Sequence, residues 1–162
     1  MNKRLRVYIE STIPGYITGR VSPLPEVARK QVLTVQWNDL WADKCDLFKS
    51  KYTVAENEKG DSDAARRRLD YLANVVNIDV DDTIVPRLAL SFVGPGSIPE
   101  DQLVDALHVA TATVYGMDVL LTWNCNHINN PITLPEVYKK IYDAGYNPPL
   151  IMTPEQFMEA YK

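Results

Sequence analysis

Short apolar runs alternate with helical patterns along the chain, which predicts an α/β fold with a parallel sheet covered by helices on both faces. The five runs with the length of strands are residues 5–9, 45–48, 74–80, 118–122 and 150–152. Helical spacing predicts helices over residues 26–43, 52–59, 62–72, 81–92, the stretch before Gly116, 134–144 and from Pro154 onward. Pro14 fits the first turn of a helix, and the Gly and Pro residues of 15–25 predict a loop. No repeat or linker divides the chain, so we expect residues 1–162 to form a single domain.

The helix before Gly116 is unusual because it carries no Lys, Arg or Glu between Gln102 and Met117. One stripe has the spacing of a core-facing surface, and it consists of Leu103, Ala106, Leu107, Ala110 and Val114. The opposite face consists of Asp101, Asp105, His108, Ala112 and Tyr115. A solvated face normally carries long charged side chains, so we expect both faces to be covered. Asp105 is then a partly buried acid that must be paired, protonated or bound to a metal, and on its own helix only His108 can pair with it.

The composition limits the classes of partner. The 162 residues carry a net charge of −4, so bulk charge will not hold the chain on nucleic acid, and such binding needs a local basic patch. Two isolated cysteines without a CxxC motif favour reduced thiols in a cytoplasm. The amino terminus has the pattern of neither a signal peptide nor a membrane span, so we expect a cytoplasmic protein with no membrane partner.

Three acids stand out by their position. Glu10 follows the first strand, Glu56 lies on a short helix, and Asp105 lies on the covered helix. The carboxyl ends of the first and fourth strands meet at one edge of a parallel sheet, so we expect Glu10 and Asn124 to face one crevice. Neighbouring carboxylates repel one another, and a hard cation such as Mg²⁺ or Mn²⁺ relieves that repulsion through oxygen ligands.

Three blocks, YIESTIPGY, AENEKGDSDAARRRLDYL and DALHVATATVYGMDVLLTWNCNHI, resemble in that order the PIN-domain nucleases, particularly the bacterial toxins of type II toxin-antitoxin pairs. The resemblance extends over most of the chain, and its specific part is DALHVATA with LLTWN. It implies a Rossmann-like PIN domain with about five parallel strands and an acidic pocket that binds Mg²⁺ or Mn²⁺ and cuts RNA. The family's four acidic positions fall at Glu10, Glu56, Asp105 and Asn124, with Asn126 as a close alternative for the fourth.

Two positions depart from the family pattern. Glu10 stands where the wider family usually has Asp, and Asn124 supplies a neutral oxygen in place of the fourth acid, which argues against tight binding of a second metal. We expect the metal to be held by Glu10 and Asp105, with Glu56 directly or through water. The ion would lower the pKa of a bound water and polarise the scissile phosphate. Asn124 and Ser11 would orient waters or the outer shell of the metal.

Further residues are candidates to support the pocket or the substrate. Ser11 matches the hydroxyl that follows the first acid in the family, and Thr122, Asn126 and His108 are the other supporting candidates. RNA phosphates need positive charge near the pocket. The available clusters are Arg66, Arg67, Arg68, Arg20 and residues 3–6. The arginine run has an alternative interpretation as a solvated helix face.

The favoured interpretation is a metal-dependent endoribonuclease, the toxin of a toxin-antitoxin pair, that a small antitoxin protein holds silent. The alternative is a catalytically weak PIN-like module that binds RNA or a protein partner without cutting. A phosphate-accepting receiver domain shares the sheet type. However, Glu10 has no acidic neighbour and no Lys lies near Thr122, which argues against a receiver domain.

The histidines and tryptophans admit other roles. A zinc site built from His108 and His127 with Cys125 or Asp105 fits no common ligand spacing. Trp37 and Trp41 lie one turn apart on an apolar face, which indicates either core packing or an oligomer contact. Together with Leu40 they favour a homodimer. All three tryptophans, Trp123 included, are candidates for stacking on bases.

Overall fold

The computed structural model describes residues 3–162, and its centre is a sheet of five parallel strands. The strands are β1 (Leu5–Ile9), β2 (Cys45–Lys49), β3 (Val76–Asn77), β4 (Val119–Leu121) and β5 (Leu150–Met152). Their order is β3-β2-β1-β4-β5, and every neighbouring pair is parallel. The predicted parallel sheet is confirmed.

Helices cover both faces of the sheet, as the sequence predicts. They are α1 (Thr12–Thr18), α2 (Pro25–Trp41), α3 (Lys51–Asn57), α4 (Ser62–Leu72), α5 (Ile84–Ser91), α6 (Leu103–Val114), α7 (Leu134–Asp143) and α8 (Pro154–Ala160). Val7 and Ile9 of β1 pack with apolar residues of α1, α2, α4 and α8, whereas Tyr8 packs with those of α5, α6 and α7. None of the helices in this part of the chain is long and apolar enough to span a membrane.

The strand order reverses between β1 and β4, and this switch point positions the candidate site. Beyond β1 the chain builds β2 and β3 on one side, and it later returns to place β4 and β5 on the other. Ile9 is in register with Leu121, and the Glu10 N–H donates to the Leu121 carbonyl at 3.1 Å. Glu10 and Thr122 therefore leave the sheet side by side, in the crevice where open α/β sheets bind ligands.

Two predicted segments differ from the structure. Residues 15–18 continue α1 instead of forming a loop, because Tyr16 and Ile17 pack against the core and Thr18 Oγ1 bonds the Pro14 carbonyl. The predicted strand over 74–80 shrinks to Val76–Asn77, at the edge of the sheet. There the Lys49 ammonium donates a hydrogen bond to the Val75 carbonyl, and Val75 is not part of the pairing with β2.

Helix α6 is buried on nearly every side, which confirms that both of its faces are covered. Asp105, His108 and Ala112 of the polar face are all buried. The predicted core-facing stripe is partly wrong, because Leu103 is 38% exposed at the open end of the helix. The most enclosed part of α6 is therefore the part that carries the polar side chains.

Trp37 belongs to the core, and Trp41 packs against the core while it stays partly exposed. Trp37 is fully buried, and its ring meets the edge of Phe157 at 5.9 Å between centroids. Trp41 packs against Phe157 at 5.4 Å. Leu40, which is 55% exposed, and the partly exposed Trp41 are the members of the predicted dimer patch that reach the surface. Core packing of Trp37 is thus confirmed and base stacking by Trp37 is wrong, whereas the homodimer stays a prediction.

We expect Trp37→Ala to destabilise the protein by about 3–5 kcal/mol, because it removes a fully buried aromatic side chain and leaves a cavity. The matched control on the same helix is Leu40→Ala, which should stay within about 0.5 kcal/mol of wild type. Urea unfolding monitored by circular dichroism measures both. Equal losses in the two variants would contradict the placement of Trp37 in the core.

Candidate metal centre

The carboxylate of Glu10 is buried at the end of β1, where its exposed fraction is 2%. Its Oε2 accepts hydrogen bonds from the Thr12 N–H at 2.9 Å, from Thr12 Oγ1 at 2.6 Å and from Thr122 Oγ1 at 2.9 Å. Thr122 follows β4 directly, so the pairing of β1 with β4 brings its hydroxyl to this carboxylate. Since all three donors reach Oε2, Oε1 is the oxygen that remains for another partner.

Burial raises the pKa of Glu10 above its ordinary value, because a buried site disfavours the charged form. The charge of His108 and the hydrogen bonds from Thr12 and Thr122 oppose that rise. Neutral hydroxyls thus only partly compensate a negative charge at this position. A cation bound at Oε1 would compensate it further.

Glu56 reaches the same place from α3, a short helix capped by the Ser50 hydroxyl. Its Oε1 accepts from Ser11 Oγ at 2.5 Å and lies 2.6 Å from His108 Nε2. Burial raises the pKa of Glu56, but the hydrogen bonds from His108 and Ser11 outweigh burial and hold the pKa below its ordinary value. Glu56 is therefore ionised at neutral pH, which suits a cation ligand. The Asn57 amide donates to the Ser11 carbonyl and ties α3 to α1.

His108 is fully buried on α6 and is held from both ring nitrogens. Nδ1 lies 2.7 Å from Tyr8 Oη, and Nε2 contacts Glu56 Oε1 and, at 3.1 Å, Ser11 Oγ. Tyr8 Oη in turn lies 2.7 Å from Ser50 Oγ. Burial holds the pKa of Tyr8 well above its ordinary range, so this phenol keeps its proton at neutral pH. The orientation of the imidazole is thus fixed from both sides.

Asp105 lies one helical turn before His108 and is 7% exposed. Its Oδ2 is buried without a hydrogen bond, and His127 Nδ1 lies 3.2 Å from that oxygen. Burial raises the pKa of Asp105, and the side-chain amide of Asn124 and the charges of His108 and His127 oppose the rise. The His127 imidazole is therefore the neighbour of this carboxylate oxygen, although their contact lacks hydrogen-bond geometry.

Asn124, at the fourth position of the family pattern, shapes the loop after β4. Its Oδ1 accepts from the His127 N–H at 3.0 Å, and its own N–H donates to Thr122 Oγ1 at 2.8 Å. Asn126 is exposed, and its contact within the described chain is a backbone carbonyl that accepts from Asn130. Asn124 is therefore the residue that the structure brings to the acids, whereas Asn126 lies at the surface.

One compact group of metal-ligating side chains results. Glu10, Glu56 and His108 each offer a ligand atom, and these three atoms lie within 4.8 Å of one another. The group contains two of the three predicted ligand acids, and His108 stands where Asp105 was expected. Carboxylate oxygens and an imidazole nitrogen are ligands of divalent first-row ions, and the orphaned Oδ2 of Asp105 lies nearby on α6. The residues present therefore fit a divalent cation.

The alternative zinc set is not assembled. Within residues 3–162 the group around Glu10 contains neither His127 nor Cys125, and Cys125 is exposed. Trp123 is also unsuited to base stacking, because it is 8% exposed and its Nε1 donates to Thr34 Oγ1 at 2.8 Å.

Two of the predicted RNA-binding arginines hold the backbone instead. Arg67 donates to the Thr18 carbonyl, and Arg68 donates to the carbonyls of Asn57 and Lys59. These contacts tie α4 to the ends of α1 and α3. Arg66 and Arg20, and Lys3 and Arg4 of the segment 3–6, are exposed, so these members of the predicted set can meet a ligand.

Three site residues have roles that the sequence did not predict, since Thr12 and Tyr8 were not singled out and His127 was considered only as a zinc ligand. Thr12 donates to Glu10 and accepts from the Trp123 N–H at 2.9 Å, so it links the ends of β1 and β4. Tyr8 alternates with Val7 and Ile9 along β1, and this period of two could have placed it towards His108. His127 follows Asn124 by three residues, and only the turn between them carries it to Asp105.

Comparisons with known proteins agree at the level of the fold. No family model matches the sequence, and no curated protein matches it. The structure is similar to a chain of VapBC2 from Rickettsia felis, solved in complex with a DNA fragment from their promoter. The TM-score is 0.55 and the identity 13%, over 92% of this chain and 98% of that one. The predicted PIN-like arrangement of a five-stranded parallel sheet between helices is thus confirmed, and at this identity the likeness shows the fold alone.

The pKa of Glu10 predicts how stability without metal depends on pH. Because the folded-state pKa lies above the ordinary value of 4.5, the folded protein binds more protons between the two values. Ionisation of Glu10 therefore lowers the free energy of unfolding as pH rises through that interval. Glu10→Gln removes this ionisation, so its stability relative to wild type should rise over the same interval.

Urea unfolding in EDTA from about pH 4 to about pH 8 measures the difference. The control is Glu58→Gln, at an exposed acid just after α3, for which the difference should stay flat. A pH-independent difference for Glu10→Gln would contradict the burial of an unfavourable charge at this position.

Proposed function

We propose that this chain is a metal-dependent endoribonuclease of the PIN type, which hydrolyses RNA phosphodiesters with a Mg²⁺ or Mn²⁺ ion at the switch point between β1 and β4. The observation that carries the proposal is the group of Glu10, Glu56 and His108, in which Glu10 and His108 are buried and Glu56 is half-buried. The resemblance of three sequence blocks to PIN-domain nucleases and the PIN-like fold support the same function. The toxin of a toxin-antitoxin pair is the class we favour.

Each of the three acids has its own proposed role in binding the ion. Glu10 contributes Oε1, because its Oε2 is taken by the hydroxyls and the N–H around it. Glu56 contributes an ionised carboxylate that Ser11 orients. Asp105 lies one helical turn before His108 on α6, and we propose that it binds the ion from there, directly or through a water. The bound ion would lower the pKa of a water and polarise the scissile phosphate for in-line attack.

Neutral groups hold these ligands in place. Thr12 and Thr122 fix Glu10, and Asn124 shapes the loop that brings His127 to Asp105. Partners of this kind outside the ligand sphere typically change metal affinity or activity by about 10–100-fold. Arg20 and Arg66 are the exposed cations that we propose to meet RNA phosphates.

A protein partner is part of the proposal. The exposed apolar side chains of α2 and the loop before it include Val21, at 90% exposure, Leu24 and Val32. Beside them lies a groove of ≈ 310 Å³ between α1 and α2. A surface of this kind is typical of a binding site for another protein. We propose a small antitoxin as the occupant, since the similar structure is that of a VapBC2 complex. The homodimer stays a prediction, and the buried Trp37 is not part of its expected contact surface.

A second candidate function is supported by one observation. Asn124 takes the fourth acidic position and uses its Oδ1 for the His127 N–H. Because this oxygen already accepts a hydrogen bond within the loop, it is not available as a ligand for a second metal ion. The second candidate is thus a PIN-like module that binds RNA or a protein partner with weak or no cleavage.

The decisive pair of variants is Glu56→Gln and Glu58→Gln, two residues apart at the end of α3. We expect Glu56→Gln to reduce cleavage of transfer RNA and mixed-sequence messenger RNA by about 100-fold or more, because it removes a charged ligand. Glu58→Gln should cleave like wild type, since Glu58 is exposed. Single-turnover assays in Mn²⁺ and in Mg²⁺ measure both rates, with EDTA as the metal-free reference.

Equal cleavage by the two variants would refute the site. If Mn²⁺ raises the melting temperature of wild type but not of Glu56→Gln, and wild type cleaves no RNA, the module without cleavage is correct.

A further inference from the structure

His108 lies in the site although it is not one of the four acidic positions of the family pattern. It is fully buried on α6, and its ring offers a ligand atom within 4.8 Å of those of Glu10 and Glu56. The three side chains come from three separate elements: β1, α3 and α6. An ion pair between His108 and Glu56 alone would not require the carboxylate of Glu10 to lie at the same point.

The hydrogen bonds on the other side of the ring are those of a metal-ligating histidine. Such a histidine normally binds a partner through its second ring nitrogen, which fixes the tautomer and the ring orientation. Here Nδ1 lies 2.7 Å from Tyr8 Oη, and Tyr8 Oη lies 2.7 Å from Ser50 Oγ. With the proton on Nδ1 donated to Tyr8 and the Tyr8 O–H donated to Ser50, the lone pair of Nε2 is left for a ligand.

The contact between Nε2 and Glu56 is compatible with a shared ion. The two atoms lie 2.6 Å apart, and the Nε2–H donates to the carboxylate when no cation is present. Neighbouring ligands on one octahedral ion of this size stand about 3 Å apart, so a shift of a few tenths of an ångström accommodates the cation.

We infer that His108 Nε2 binds the ion directly, beside Glu10 and Glu56, and that the site therefore favours Mn²⁺ and later first-row ions over Mg²⁺. The inference rests on the proposed function, because it concerns the same centre. An imidazole ligand suits transition ions, whereas Mg²⁺ prefers oxygen and gives up its waters reluctantly. Asp105 lies one helical turn before His108 on the same helix, with His127 beside it.

Pulsed electron paramagnetic resonance of the Mn²⁺-loaded protein tests the inference. A directly bound imidazole gives a ¹⁴N modulation, and the chain has only two histidines, so single variants assign it. We expect the modulation in wild type and in His127→Gln, and its loss in His108→Gln. If His108→Gln fails to fold, a persistent modulation in His127→Gln still assigns the nitrogen to His108.

A competition titration gives an independent readout. We expect a Mg²⁺ excess of more than about 10-fold to be needed to displace half of the Mn²⁺ from wild type, and a smaller excess from His108→Gln. Tyr8→Phe should retain the modulation but weaken Mn²⁺ binding by about 10-fold or more, because it removes the partner of Nδ1.

Each contrary result has a separate meaning. Mn²⁺ that binds in a Glu10-dependent manner without a ¹⁴N modulation overturns the inference and leaves the proposed metal site intact. A modulation that disappears in His127→Gln but persists in His108→Gln also overturns it. If no Mn²⁺ binds wild type at all, both the inference and the proposed function fail.

Discussion

The burial of the Glu10 carboxylate between the ends of β1 and β4 is the constraint on which the rest of the site depends. An ionised carboxylate that is 2% exposed is expensive unless its oxygens have partners. Thr12 and Thr122 both donate to one oxygen, and Thr122 can do so only because β1 and β4 are adjacent and parallel. The other oxygen is left for a positive group. A topological reversal in the sheet thus creates both the crevice and its need for a cation.

The same hydrogen bonds stabilise the fold and organise the proposed chemistry. Ser11 at the start of α1 bonds Glu56 of α3, and Glu56 meets His108 of α6. Tyr8 then links His108 back to the sheet and to Ser50, the cap of α3. Four elements therefore meet through polar side chains in the interior, where unpaired groups are costly and satisfied networks are rigid. A site assembled in this way is held in position before any ligand arrives, which is what metal-assisted hydrolysis requires.

The sequence predicts the sheet, its covering helices and the meeting of Glu10, Glu56 and Asp105 near one edge. Period-two runs and helical spacing are local signals, and the carboxyl-end rule for parallel strands converts them into a location. The burial of an individual residue in the folded protein cannot be determined from the local sequence pattern. The stripe of α6 was therefore assigned to the wrong side at Leu103, and Trp37 was considered as a surface residue. The partners Tyr8, Thr12 and His127 depend on contacts across up to about a hundred residues, such as that between Tyr8 and His108. Periodicity along the sequence does not predict contacts between residues so far apart in the chain.

We propose that a divalent ion binds where β1, α3 and α6 meet. Anomalous diffraction from crystals grown with Mn²⁺ is the sharpest test of this site, because the scattering locates the ion without reference to activity. We expect one strong anomalous peak in contact with Glu10 and Glu56, which EDTA treatment of the crystals removes. A map without a peak at that point, or with its Mn²⁺ bound at surface acids, would contradict it.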